Sequence, residues 1–153
     1  MPDTPPTSDL ARFFAFFNEV GIINQLSTAM FEARLPPGFT VSQFSVLNHL
    51  IRVKDGRTPL DLARAFQVPK TTMTHSLSVL GHHGLVRTVP NPEDGRSKCV
   101  WITEAGRNFR DAAVTALAPD IADIAARFPA ADLQPVLPVL TALRQLLDAR
   151  REG

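Results

Sequence analysis

Apolar residues recur at helical spacing along most of this chain and give way to short strand-like runs only twice. From Ser8 to about residue 34, Leu10, Phe13, Phe14, Phe17, Ile22, Leu26, Met30 and Phe31 predict a long helix. They are too numerous for one narrow stripe, so this helix must be covered on more than one side, with Ser8 as its cap. Leu35-Pro36-Pro37-Gly38 ends it. Thr40-Val41-Ser42-Gln43 has the spacing of a capping box and opens a second helix. The apolar face of that helix is Phe44, Leu47, Leu50 and Ile51, and Lys54-Asp55-Gly56 closes it. Thr58-Pro59-Leu60-Asp61 joins a threonine cap, a proline at the first helical position and an acid in the first turn. The short third helix it starts ends near Phe66. After Gln67-Val68-Pro69, a fourth helix runs from Lys70 to His83 and stops at Gly84-Leu85.

The two strand-like runs are Leu85–Val89 and Cys99–Thr103, rich in β-branched and aromatic types. Between them lie Pro90, Pro92 and the turn pair Asp94-Gly95. Prolines cannot donate to a ladder, so pairing should stop at about Val89 and resume near Lys98, leaving a polar tip that carries Arg96 and Lys98 into solvent. Thr103 can then cap a long helix over roughly Glu104 to Phe128. A last helical segment runs from Asp132 to about Arg150, with Leu133, Leu137, Leu140, Leu143 and Leu147. Pro135 suits a first turn, whereas Pro138 should bend or delay that helix.

At 100 degrees per residue, Met73, Leu77 and Leu80 share one side of the fourth helix. Thr71, Thr74, His75, Ser78 and His82 fall opposite, beside Lys70. Small hydroxyls can bond base edges or pack a methyl on thymine, and lysine at a helix N-terminus favours phosphate. Two short helices joined by a three-residue turn, then a basic-tipped hairpin, read as a winged helix-turn-helix. The expected fold is mainly α with a small β-hairpin wing, and the chain is expected to be one domain over residues 1–153. Within it, residues 40–103 would form the DNA-binding lobe. Residues 8–34 and 104–150 would be dimerisation helices, because two long apolar helical segments flanking a compact lobe need a partner surface.

Charge sharpens this picture. The formal net charge is +1, yet residues 52–110 carry ten Lys/Arg against five Asp/Glu, a net +5, while each end sums to −2. Cations concentrated in the middle suit an anionic partner there. The start lacks a basic segment followed by an apolar one, and no apolar run approaches the ~18 residues a membrane span needs, so a cytoplasmic protein is expected. The single cysteine, Cys99, excludes an internal disulfide.

The segment from Pro59 to Arg107 resembles the DNA-binding core of the MarR (multiple antibiotic resistance regulator) family. Leu62-Ala63, the threonine-rich run from Lys70 to Leu80, Gly84-Leu85-Val86, Asp94-Gly95-Arg96 and Ile102-Thr103-Glu104-Ala105-Gly106 carry the resemblance. It implies a homodimeric transcription regulator, commonly a repressor, on double-stranded DNA. The helix from Lys70 would enter the major groove, through Lys70, Thr71, Thr72, Thr74, His75 and Ser78. Arg96 at the wing tip would enter the minor groove, with Arg87 and Lys98 nearby and Asp94 bracing an arginine. Three departures stand out: Gln67 replaces a common turn glycine, Gly95 a second wing arginine, and Thr88 an arginine, with Arg87 one place earlier. Fewer cations predict weaker nonspecific binding and a shallower salt dependence.

Relatives of this kind often respond to aromatic or organic acids in a crevice between dimer helices and DNA-binding lobe. The resemblance therefore makes Phe14, Phe17, Asn18, Gln43 and Phe44 a candidate effector pocket; the bland alternative is that these phenylalanines are dimer core. Cys99, beside Lys98, raises a redox-sensor alternative. A further alternative is a winged-helix dimer that acts as a protein-interaction module without reading DNA. His82 and His83 point about 100 degrees apart on a helix and cannot chelate one ion, so no metal site is expected. No glycine-rich phosphate loop, nucleophile elbow or His-x-x-x-His pair occurs, so neither a cofactor nor an enzymatic activity is expected.

Overall fold

The computed structural model describes residues 7–152. Its elements are α1 (Thr7–Glu32), α2 (Val41–Arg52), α3 (Pro59–Phe66), α4 (Lys70–His82), β1 (Val86–Asn91), β2 (Asp94–Ile102), α5 (Glu104–Arg127) and α6 (Val136–Glu152). A 3₁₀ turn, Ala130–Leu133, lies between α5 and α6. The residues fall into two compact units that divide within α5, the first ending at Ala116 and the second starting at Leu117.

Local chemistry explains the helix starts in the first unit. Thr40 Oγ1 accepts the Gln43 N–H at 3.3 Å while the Gln43 side chain accepts the Thr40 N–H at 3.1 Å, so the reciprocal capping box is made. Thr58 Oγ1 accepts the Asp61 N–H at 3.1 Å, with Pro59 at the first helical position. Ser8 is different: it lies inside α1 rather than capping it.

One core holds α2, α3, α4 and the hairpin together. Val46, Leu47, Leu50, Leu62, Met73, Leu77, Leu80, Val100 and Ile102 are all buried there, with Phe39, Phe66 and Phe109 packed around them. The buried residues of α4 are Met73, Leu77 and Leu80, the three that the 100-degree period placed on one side.

The hairpin is longer than the prolines suggested. Pairing does not stop at Val89: Pro90 pairs with Lys98 and Asn91 with Asp94, with a register shift between Pro90 and Asn91. The reason lies in which N–H groups face outward. Val100 N–H bonds the Arg57 carbonyl at 2.8 Å and Ile102 N–H bonds Asp55 Oδ1 at 3.0 Å, so both point away from β1. The pairs Thr88↔Val100 and Val86↔Ile102 are therefore of the non-hydrogen-bonded kind. Two residues along, Pro90↔Lys98 has the same parity, and the proline removes no ladder bond. Residues 55–57 thus act as a short third edge, with Arg57 bridging Val100 and Arg107 3.6 Å from Asp55.

The join between the wing and α5 is tight. Thr103 Oγ1 donates to the Gly84 carbonyl at 2.7 Å and accepts the Gly106 N–H at 3.0 Å. Thr103 N–H also bonds the Leu85 carbonyl at 3.1 Å. This is what a Thr-x-x-Gly spacing does physically: the threonine staples the end of α4 to the start of α5, and the glycine leaves room for the Leu85 carbonyl.

The second unit holds the rest of α5, the 3₁₀ turn and α6. The last helix starts at Val136, four residues after the expected Asp132, which puts Pro138 in its first turn, where a missing N–H costs nothing. None of residues 117–151 is buried. Ile121, Phe128, Leu133, Leu137, Val139, Leu146 and Leu147 are 45 to 59% exposed on the protomer. Among the described residues no helix is long and apolar enough to cross a membrane.

Candidate nucleic-acid interface

The geometry of the second short helix starts with the turn before it. Gln67 adopts the left-handed conformation at φ 57°, ψ 40°, and its N–H reaches the carbonyls that end α3. That conformation is the one glycine adopts at the least steric cost. Pro69 then leads into α4, and among the described residues no side-chain cap bond is made there. A phosphate oxygen would satisfy the first-turn N–H groups.

Thr71, Thr74, His75 and Ser78 are exposed on the outer side of α4, and Lys70 is exposed at its start. Thr74 Oγ1 donates to the Lys70 carbonyl at 2.8 Å. Its oxygen is left as an acceptor and its methyl as an apolar contact, which narrows what it can meet to a base amino group or a thymine methyl. Thr72 is exposed as well but lines a different crevice, together with residues of α1 and α2.

The wing tip is built by side chains that fold onto their own backbone. Asn91 Oδ1 accepts the Glu93 N–H at 3.1 Å, and Asn91 Nδ2 donates to Ser97 Oγ at 2.9 Å. Ser97 Oγ in turn donates to the Asp94 carbonyl at 3.3 Å. Asp94 Oδ1 accepts the Arg96 main-chain N–H at 3.0 Å. Bracing thus acts on the backbone of Arg96 and leaves its guanidinium at the exposed tip. The sequence signal for Asn91 and Ser97 was the Asn-Pro dipeptide of an Asx turn, which composition alone did not turn into a site.

Helix and wing share a cleft of about 470 Å³, lined by Thr74 and Ser78 from α4 and by Arg87 and Lys98 from the hairpin. This cleft is where the hydroxyl face and the cations come together. Arg96 sits farther out on the tip and does not line it.

The five residues of the candidate effector pocket are not gathered into one. Phe14 is 76% and Phe17 44% exposed on α1, next to exposed Asn18. Gln43 is buried and occupied in the capping box, while Phe44 packs edge-on against Phe31 with ring centroids 4.5 Å apart. The crevice that α1 does form with the lobe lies nearer its C-terminus, is about 370 Å³ in volume, and is lined by Asn24, Thr28 and Glu32 together with residues of α2 and α4.

Cys99 is buried at 8% exposure opposite Val89, a poor position for a thiol that peroxide must reach. His82 and His83 stack edge-to-face at 5.5 Å, and His83 also meets Phe39 at 4.8 Å. No group of three metal-ligating side chains exists among the described residues.

His49 on α2 was not singled out from sequence. Its Nε2 is buried without a hydrogen-bond partner among the described residues, and its ring meets Phe66 at 5.3 Å. Burial, and then the nearby Arg57 charge, hold its pKa below the ordinary 6.5. The unfolded chain therefore binds this proton at a higher pH than the folded chain does. Stability is full above about pH 6.5 and falls as pH drops from there through the lower folded value. Urea midpoints for wild type should decline between about pH 7.5 and about pH 5.5, and the decline should be smaller in His49→Gln. Parallel declines would show that His49 is not the group responsible.

Comparison with known proteins agrees with the fold. A sequence model of the MarR family matches residues 38–97, from the turn before α2 to the wing tip. HosA, a transcriptional regulator of Escherichia coli O111:H-, is 31% identical over 98 residues, which cover 64% of this chain and 71% of HosA. The chain belongs to the MarR family. The transcriptional activatory protein BadR of Rhodopseudomonas palustris is 32% identical over 98 residues, 63% of this chain but 54% of BadR, so the match spans about half of that relative. A mutant MarR from E. coli complexed with operator DNA shares the fold at a TM-score of 0.73 and 22% identity, covering 86% of this chain and 95% of that one. The winged-helix fold of MarR-family transcription regulators is thus the fold of this chain.

Proposed function

We infer that this MarR-family chain is a homodimeric transcription regulator that reads a roughly palindromic operator, represses from it, and is released by a small effector. The observation that carries the reading is the shared cleft: Thr74 and Ser78 of α4 and Arg87 and Lys98 of the hairpin line one surface. In this account α4 enters the major groove, where Thr71, Thr74, His75 and Ser78 face base edges and Lys70 and the uncapped N-terminus hold phosphate. The wing lies against the next minor groove, with Arg96 at its tip and Asp94 fixing the backbone behind it.

The whole chain acts as one MarR-like domain, residues 40–103 as the DNA-binding lobe and residues 8–34 and 104–150 as dimerisation helices. The exposed Phe13, Phe14 and Leu26 of α1, and the leucines of α6, support a partner surface of that kind. A two-fold dimer puts two copies of α4 about one DNA turn apart, which is why the operator should be palindromic. The protein works in the cytoplasm, and no catalytic step is assigned to it.

Arg96→Ala tests the wing. Operator binding should weaken by roughly 1–3 kcal/mol with relaxed preference at the contacted position. Lys70→Ala should weaken all sequences alike and lower the salt slope by about one. Gel-shift titrations at two salt concentrations separate these patterns. If Arg96→Ala binds as wild type does, the wing is not a reader.

A further inference from the structure

One carboxylate anchors the base of the wing. Asp55 Oδ1 accepts the Ile102 main-chain N–H at 3.0 Å and the adjacent Gly56 N–H at 3.0 Å. Asp55 Oδ2 lies 3.6 Å from the Arg107 guanidinium on α5. Gly56 has a left-handed φ of 68°, and Trp101 lies so close over it that a Cβ there would enter the indole ring. Asp55 and Gly56 thus hold β2 at two successive residues, Trp101 and Ile102.

That hold governs where the tip goes. A two-stranded hairpin has little stiffness of its own, so its angle to α4 depends on what grips its base. Arg96 is six residues from Ile102 along β2. At ~3.3 Å per residue the tip stands about 20 Å from the base, and a tilt of ~10° there carries it through about 3.5 Å. A groove hydrogen bond tolerates roughly half an ångström. The Arg107 pair is the lesser part of the anchor, because that side chain is 51% exposed and such pairs contribute little.

We propose that Asp55 is a positioning residue for DNA binding, whose bond to the Ile102 N–H sets the angle at which the wing presents Arg96 to the minor groove. This role rests on the operator reading above, and it opposes the effect of charge alone. Asp55 is an anion on a lobe that meets phosphate, so by charge alone its removal strengthens binding. Loss of the anchor weakens it.

The test titrates duplex DNA enriched on the wild-type chain with full-length variants, each made with Arg96 present and in the Arg96→Ala background. Asp55→Ala should bind at least about fivefold more weakly when Arg96 is present, and less than about twofold more weakly in the Arg96→Ala background. A wing without its reader gains nothing from being aimed. Asp55→Asn removes the charge and keeps an acceptor for the Ile102 N–H, so it should bind within about twofold of wild type. Asp55→Glu keeps the charge and displaces the acceptor, so it should weaken binding by about threefold or more, and this pair decides the matter if Asp55→Ala fails to fold. Without DNA, Trp101, the single tryptophan of the chain, reports the anchor: its emission should move to the red in Asp55→Ala and Asp55→Glu and stay in place in Asp55→Asn.

Wild-type or tighter binding by Asp55→Ala and Asp55→Glu, equal losses in the two backgrounds, an Asp55→Asn as weak as Asp55→Glu, or emission indifferent to all three would overturn the proposal. If the wild-type chain enriches no duplex, the operator reading falls and this role falls with it. If it does, and Arg96→Ala weakens binding while the Asp55 variants do not, the operator reading stands and this role alone falls.

Discussion

Gly106→Ala should lower the stability of the fold by about 2–4 kcal/mol, even though alanine is the better helix former. A Cβ at Gly106 would stand 2.1 Å from the Leu85 carbonyl oxygen and 2.7 Å from Ile102 Cγ1. Neither neighbour can step aside at small cost. Leu85 N–H is bonded to the Leu80 carbonyl at 2.9 Å, and its carbonyl takes the Thr103 N–H at 3.1 Å. Ile102 is 7% exposed and belongs to the core. The relief left is for α5 to lift away, and that stretches the Thr103 bond to Gly84 and the Gly106 bond to Thr103.

Two strained or broken hydrogen bonds at about 1 kcal/mol each, plus overpacking of about 1–3 kcal/mol, exceed the gain of about 1 kcal/mol from glycine to alanine in a helix. Urea unfolding should show the midpoint falling with an unchanged slope. Thr103→Ala, which removes the staple but adds no clash, should lose less, about 1–2 kcal/mol. A Gly106→Ala midpoint at or above wild type would show that the close approach is not a constraint.

Truncation after Pro129 should abolish the dimer and weaken operator binding by roughly 10²–10⁴-fold. The segment removed holds the 3₁₀ turn and α6, whose Leu137, Val139 and Leu146 are 59%, 58% and 59% exposed on the protomer. Helices with so much apolar surface and no buried residue do not hold their conformation in water on intrinsic propensity alone. The second copy of the chain is the surface the proposed function provides for them. Once the two lobes are unlinked, each half-site is met separately and the gain from tethering disappears. Leu137→Glu is the milder form, since a charge costs little on an exposed protomer face but much within an apolar contact. Sedimentation of both variants reads the mass directly, and a truncated chain that stays dimeric would place the contact elsewhere.

Much of the lobe was legible because its signals are local. The Thr40–Gln43 box and the Thr58-Pro59-Leu60-Asp61 start each satisfy helix-end N–H groups within four residues, so the sequence contains both partners. The inward face of α4 follows from its period alone. The strand ends were misplaced for an equally physical reason. Whether Pro90 interrupts a ladder depends on the parity of its pair, and that parity is set by Val100 and Ile102 bonding residues 55 and 57, over forty positions earlier. Gly106 appeared in a motif, but its reason, the Leu85 carbonyl, comes from another element.

The site was legible in part for the same reasons. Exposed hydroxyls and cations could be named, yet the main-chain bracing by Asp94, and the support from Asn91 and Ser97, depend on a turn only the folded wing defines. The phenylalanines of α1 stay open between pocket and interface, because aromatic residues suit either and nothing in their spacing says which. The crevice at Glu32 had no sequence signal, since its walls come from α1, α2 and α4 and are mostly small.

The central claim, a dimer that reads DNA through α4 and the wing, is tested most directly by selecting random duplex DNA on the purified protein at two salt concentrations. The account predicts enrichment of a palindrome with half-sites about 10 bp apart, retained at the higher salt. Weak binding that fades with salt and enriches no sequence would contradict it.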